Sequence, residues 1–138
     1  LTLQVTVISP FSLTADVFNP SIWEEGTFDE NTRTLVTGQY GFGGWQYNNG
    51  LDLSGYKTVT VELGNDNESS VSFRLFDKNN YWSEPATYDF GSSRKIVVEL
   101  NNMKDKNGGK IDSSHLYIAG FWSTGGKPVV IANISLAN

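Results

Sequence analysis

The chain has 138 residues, a net charge of −5, 13% aromatic residues and no cysteine. That length suits one domain with a core of its own, and an acidic balance with scattered lysines and arginines argues against nucleic acid. Disulfides, thiolate metal sites and cysteine nucleophiles are excluded, and no apolar run approaches the ~20 residues of a membrane-spanning helix.

Residues 1–12 read as a first strand or as a linker tail. With no initiator methionine and no signal-peptide pattern, the chain reads as a mature or excised segment. Strands are then expected at LTADVF (13–18), GTF (26–28), TLVTG (34–38), GWQY (44–47) and KTVTVEL (57–63). Five more follow at SVSFRLFD (70–77), ATYDF (86–90), KIVVEL (95–100), LYIAGFW (116–122) and PVVIANISL (128–136). All are rich in β-branched and aromatic residues and bounded by Gly, Asn, Asp or Pro. Turns are expected at FDENTRT, NNG, GNDNESS, DKNN, NNMKDKNGGK and STGGKP, and single helical turns at DLSGY (52–56) and DSSHL (112–116). No window carries a helical apolar period. About ten short strands predict an all-β antiparallel sandwich, of jelly-roll or immunoglobulin-like type, one domain over 1–138.

Alternation divides the side chains between faces. Val71, Phe73 and Leu75 share a core face; Ser72, Arg74 and Phe76 share the other. A two-residue hairpin loop at Lys78 and Asn79 would pair Phe76 with Tyr81, Arg74 with Ser83 and Leu75 with Trp82. Arg74, Phe76 and Tyr81 would then form an exposed aromatic–guanidinium patch, while a bulged loop would bring Trp82 out instead. Trp45 and Tyr47 travel together, either both core or both surface. Leu116, Ile118 and Trp122 oppose Tyr117, Ala119 and Phe121, with apolar residues on both sides, so either Phe121 or Trp122 could face out.

Catalytic and metal chemistry find weaker support. The single histidine, His115, has no nucleophile signature beside it. Glu24, Glu25, Asp29 and Glu30 border a hairpin, whereas Glu62 and Glu99 lie on the polar parity of their strands and could form a carboxylate pair of a small glycosidase. The segments at 65–69, 77–80 and 105–109 supply oxygen ligands, but the last lacks the closing acidic residue of a calcium loop and all three suit turns.

Sugar binding suits the composition better. Flat pyranose faces stack on aromatic rings, while Asn, Gln, Asp and Arg read the hydroxyl rim. Arg74, Phe76 and Tyr81 are the first candidates, with Trp45 and Tyr47 as an adjoining floor and Trp82, Phe121 and Trp122 behind them.

The runs at 21–63, 72–91 and 111–136, with DLSGY (52–56), GFW (120–122) and VVIANISL (129–136), resemble the jelly-roll carbohydrate-binding modules of bacterial plant-polysaccharide degradation. Similarity is greatest to small modules preceding family 5 glycoside hydrolases in gut and rumen Bacteroidetes, over residues 13–138. The resemblance implies a non-catalytic, secreted or cell-surface module. It would bind β-1,4-glucan or a related hemicellulose of plant cell walls and tether a covalently linked catalytic domain. Many such modules place an Asp in the last strand to hold a structural calcium; Ala132 stands there, followed by Asn133, so no cofactor is expected. The rival expectations are a sandwich that packs against a catalytic domain without sugar affinity, and a small jelly-roll glycosidase.

Overall fold

The computed structural model describes residues 18–19, 26–37, 42–64, 71–77, 86–91, 93–105, 107–123 and 127–138. Among the described residues ten strands form two five-stranded antiparallel sheets, the all-β sandwich expected from the strand spacing. The first sheet has the order β1 (Phe18–Asn19), β4 (Phe42–Leu51), β9 (Leu116–Ser123), β6 (Val71–Asp77), β7 (Ala86–Asp89). The second has the order β2 (Thr27–Asp29), β3 (Thr34–Val36), β10 (Val129–Ala137), β5 (Thr58–Leu63), β8 (Lys95–Glu99). The one helical element among the described residues is a 3-10 turn, Leu100–Asn102.

Period-two alternation sets each strand against the core. In β5, Val59, Val61 and Leu63 are buried while Thr58, Thr60 and Glu62 are partly exposed. From the first sheet come Trp45, Phe73, Leu75, Ala119 and Phe121, and from the second Leu35, Val98, Val129 and Ile131, all buried. An aromatic chain threads these layers. Phe28 meets Trp45 edge-on at 4.9 Å, Trp45 meets Phe121 at 6.2 Å, and Phe121 meets Phe73 at 5.2 Å.

Trp45 and Phe121 are therefore interior residues, 0% exposed, and neither paves a surface. Tyr47 follows Trp45 inward and packs against the same core. Glycine permits this packing at the start of β4. A Cβ at Gly43 would stand 2.8 Å from Thr37 Cγ2 and 2.9 Å from Leu35 Cδ1 of the second sheet; one at Gly44 would stand 2.7 Å from the Ala119 carbonyl oxygen.

Two irregularities depart from the expected elements. The NNG segment does not reverse the chain but forms a wide bulge inside β4, because Gly50 takes φ 80° and the strand rejoins its partner at Leu51. In register terms, Gln46 opposes Ile118 and Leu51 opposes Leu116, with residues 47–50 facing Tyr117 alone. On its other side β9 slips against β6 at the same place, between the pairs Phe76–Ile118 and Asp77–Leu116.

The segments 52–56 and 112–116 are Asp-capped turns rather than helical turns. Asp52 Oδ1 accepts the Ser54 amide at 2.9 Å and its hydroxyl at 2.6 Å, and Asp112 Oδ1 takes the same two groups of Ser114 at the same distances. The Leu53 amide donates to the Ser113 carbonyl at 2.8 Å, and buried Asp77 accepts the Asp112 amide at 2.9 Å, so both turns are tied to one end of the sandwich.

Candidate functional site

The solvent-side faces of the two sheets differ in chemistry. On the second sheet Thr58, Thr60 and Glu62 align with Glu99, Val97 and Lys95 on one side and Ala137, Ser135 and Asn133 on the other. Lys95 and Glu62 form an exposed ion pair at 3.6 Å. Among the described strand residues of that face there is no aromatic ring. Glu62 and Glu99 lie on it four residues apart along the ladder, about 13 Å at ~3.3 Å per residue, and Glu99 accepts from Asn102 Nδ2 at 2.7 Å. They do not pair as flanking carboxylates across a cleft.

The outer face of the first sheet is built in two levels. Phe76 and Ile118, cross-strand partners, are 2% and 0% exposed and form a cluster separate from the main core. Tyr117 and Trp122 pack over this cluster and remain half-buried. Phe76 is thus the foundation under the rings and not itself a stacking surface. Tyr117 reaches this face because the β9 irregularity sends two successive side chains, Tyr117 and Ile118, to one side while Leu116 turns into the core.

Arg74 completes the upper level. Its cross-strand partner on β9 is Gly120, which has no side chain to hold the guanidinium away, and Cζ lies over the Trp122 ring at 5.5 Å from the centroid. Nε donates to Ser72 Oγ at 3.3 Å, which fixes the fork relative to its own strand. On the β7 side Arg74 faces Thr87, and Ser72 faces Asp89. Burial pulls the Arg74 pKa down, partly offset by the negative charge of Asp89; the guanidinium remains a cation at neutral pH. Across β9, Gln46 Nε2 donates to the Tyr117 hydroxyl at 2.8 Å, so an amide and a phenol are locked edge to edge beside the rings.

The structure thus brings Arg74 and Trp122 together on one face, puts Phe76 beneath them, and removes Trp45, Tyr47 and Phe121 to the core. Tyr81 and Trp82 lie outside the described residues. The register expected for the β6 hairpin is corrected as well. Arg74 pairs with Thr87 and Leu75 with Ala86, four positions beyond the tight-turn register, because Ala86 and Tyr88 following Pro85 supply the inward alternation. A slip of four is even, so every β6 side chain keeps its face. Tyr117, Gln46 and Asp89 were missed as site residues. Gln46 follows from parity once Trp45 points inward, but Tyr117 depends on a bulge that no alternation rule shows.

The calcium-like segment 105–109 is self-satisfied. Asp105 Oδ1 accepts the amides of Asn107 at 2.9 Å and Gly109 at 2.7 Å, so the carboxylate holds its own turn. Ala132 is the extra residue of a bulge in β10 and is exposed. Among the described residues no three acidic or histidine side chains converge as a metal site. His115 Nδ1 lies 2.8 Å from Ser114 Oγ and 3.2 Å from Asp112 Oδ2, two contacts on one nitrogen that fasten the 112–116 turn.

Comparison of the chain with protein-family models, with curated proteins and with solved structures returned no match.

Proposed function

We propose that the chain is a non-catalytic carbohydrate-binding module whose outer first-sheet face holds a plant cell-wall β-glycan, presented to it as the substrate of a linked glycoside hydrolase. The observation that carries this reading is the asymmetry of the sandwich. Among the described strand residues one face bears no aromatic ring, while the other raises Tyr117 and Trp122 on a buried Phe76–Ile118 base and sets Arg74 and Gln46 beside them. Rings held on such a base lose little side-chain freedom on binding. Their faces can take the C–H side of a pyranose while the guanidinium and amide reach its hydroxyls.

Contacts this few give weak association, on the order of millimolar to micromolar, or ~4–8 kcal/mol, which tethering to a catalytic domain converts into useful residence on a polymer. The 138-residue chain should be retarded in affinity electrophoresis through β-glucan, xylan or mannan gels. Trp122→Ala and Tyr117→Ala should abolish the retardation without unfolding the chain. A chain that migrates freely through every polysaccharide would overturn the proposal in favour of a sandwich that only packs against its neighbour.

A further inference from the structure

Among the described residues no hydrogen bond or ion pair engages the terminal amino groups of Arg74, although the guanidinium is half-buried and the chain has 15 carboxylate side chains against 10 lysines and arginines. Asp89 adds only a Coulombic influence, and no ion pair joins it to Arg74. Side chains of this kind usually find a carboxylate when they leave water, since burying an unpaired charge is costly. Here the fork is instead held ready: Nε is fixed to Ser72 Oγ, Cζ is stacked over Trp122, and the residue opposite on β9 is Gly120, which brings no side chain of its own.

A preorganised guanidinium with four uncommitted N–H donors matches a planar carboxylate in the two-bond geometry that a hydroxyl pair meets less well. We propose that Arg74 and Trp122 form a subsite for an acidic sugar, a uronic-acid residue whose carboxylate is taken by the Arg74 fork while its ring lies against the indole. This rests on the glycan-binding reading above and narrows it: the preferred polymer is a uronic-acid-bearing hemicellulose, not an uncharged glucan. The net negative charge of the chain, of the same sign as the uronate, does not forbid this, because beyond about 8–10 Å surface charges are screened at ordinary ionic strength.

The experiment compares binding of the full chain to glucuronoxylan, to the same polymer after carboxyl reduction, and to unsubstituted β-1,4-glucan, by calorimetry and affinity electrophoresis. Glucuronoxylan should bind about tenfold more tightly than its reduced form, as expected for one charge-assisted bidentate pair, and added salt should narrow the gap. Arg74→Ala should bring the ratio close to one, and Arg74→Lys should restore only part of it. Asp89→Asn, which removes the neighbouring negative charge, should raise the ratio about threefold. Equal affinity for native and reduced polymer, with Arg74→Ala weakening both alike, would overturn the acidic subsite and leave the glycan-binding reading standing. Binding to none of the three would overturn both. Thermal melts of each variant identify any loss that comes from unfolding.

Discussion

Replacing Gly44 by alanine tests the packing of β4 on β9 most directly. The added methyl would sit 2.7 Å from the Ala119 carbonyl oxygen and 3.1 Å from Gly120 Cα, both backbone atoms that cannot rotate aside. Ordinary contact begins near 3.4 Å, so the two strands must separate locally by about 0.7 Å from a spacing of ~4.8 Å. Two ladder hydrogen bonds flank the site, each worth about 0.5–1.5 kcal/mol net, and overpacked sites cost typically 1–3 kcal/mol. The lost flexibility of the unfolded chain returns about 0.4–1 kcal/mol. The expected net is a destabilisation of about 1–2 kcal/mol. With a urea dependence of roughly 2 kcal/mol per molar for a domain of this size, the unfolding midpoint falls by about 0.5–1 M. Gly55→Ala is the matched control: nothing lies within 4 Å of its Cβ position, so its midpoint should stay or rise slightly. Equal midpoints for the Gly44→Ala and parent chains would refute the close approach.

Trp45→Ala should cost about 3–5 kcal/mol, as for a large buried aromatic, whereas half-buried Trp122→Ala should cost clearly less; chemical denaturation of both separates interior from surface. Burial holds the Tyr47 phenol far above its ordinary value, and Tyr88 is raised for the same reason. The unfolded chain ionises tyrosine near pH 10, so stability should be intact below that pH and fall above it, and Tyr47→Phe should flatten the fall in alkaline melts. Hydrogen bonds from Ser54 and Ser114 hold the carboxyls of Asp52 and Asp112 below the usual carboxylate value. Their contribution is present above the unfolded pKa of about 3.9 and is lost as pH falls through the lowered native values. Carbon NMR titration should show both shifts, and Ser54→Ala should return Asp52 toward the ordinary value.

The strand β5 was legible because it obeys one rule throughout. Val59, Val61 and Leu63 alternate with Thr58, Thr60 and Glu62, and an alternating strand can bury only one set. β6 was legible for a subtler reason: Phe76 on the polar parity beside Arg74 marked an outer face that is not simply solvated. What parity misses is the place where the count changes. Tyr117 joins the outer face through an irregularity set by both neighbours of β9, a property of three strands together. The NNG segment has turn chemistry, yet the ladder on either side continues past it, so composition there selects a bulge or a reversal equally well. Trp45 was ambiguous because its neighbours Gly43 and Gly44 carry no side chain to declare a polar face, and only the contacts with Phe28 and Phe121 decide it.

The strand order also bears on how the molecule is made. β9 and β10, the last two strands in chain order, occupy the centres of the two sheets. Among the described strands, the first sheet before β9 arrives consists of the edge pairs β1–β4 and β6–β7, and the second before β10 consists of β2–β3 and β5–β8. Two-stranded ribbons of this size are at best marginally stable in water. Consolidation therefore waits on pairings that span much of the chain, such as Thr34 with Val130, and closing such long loops makes folding slow. During synthesis the ring-bearing strands β4 and β6 emerge well before the partner that joins them. In that interval their open edges are the molecule's point of greatest exposure to misassembly.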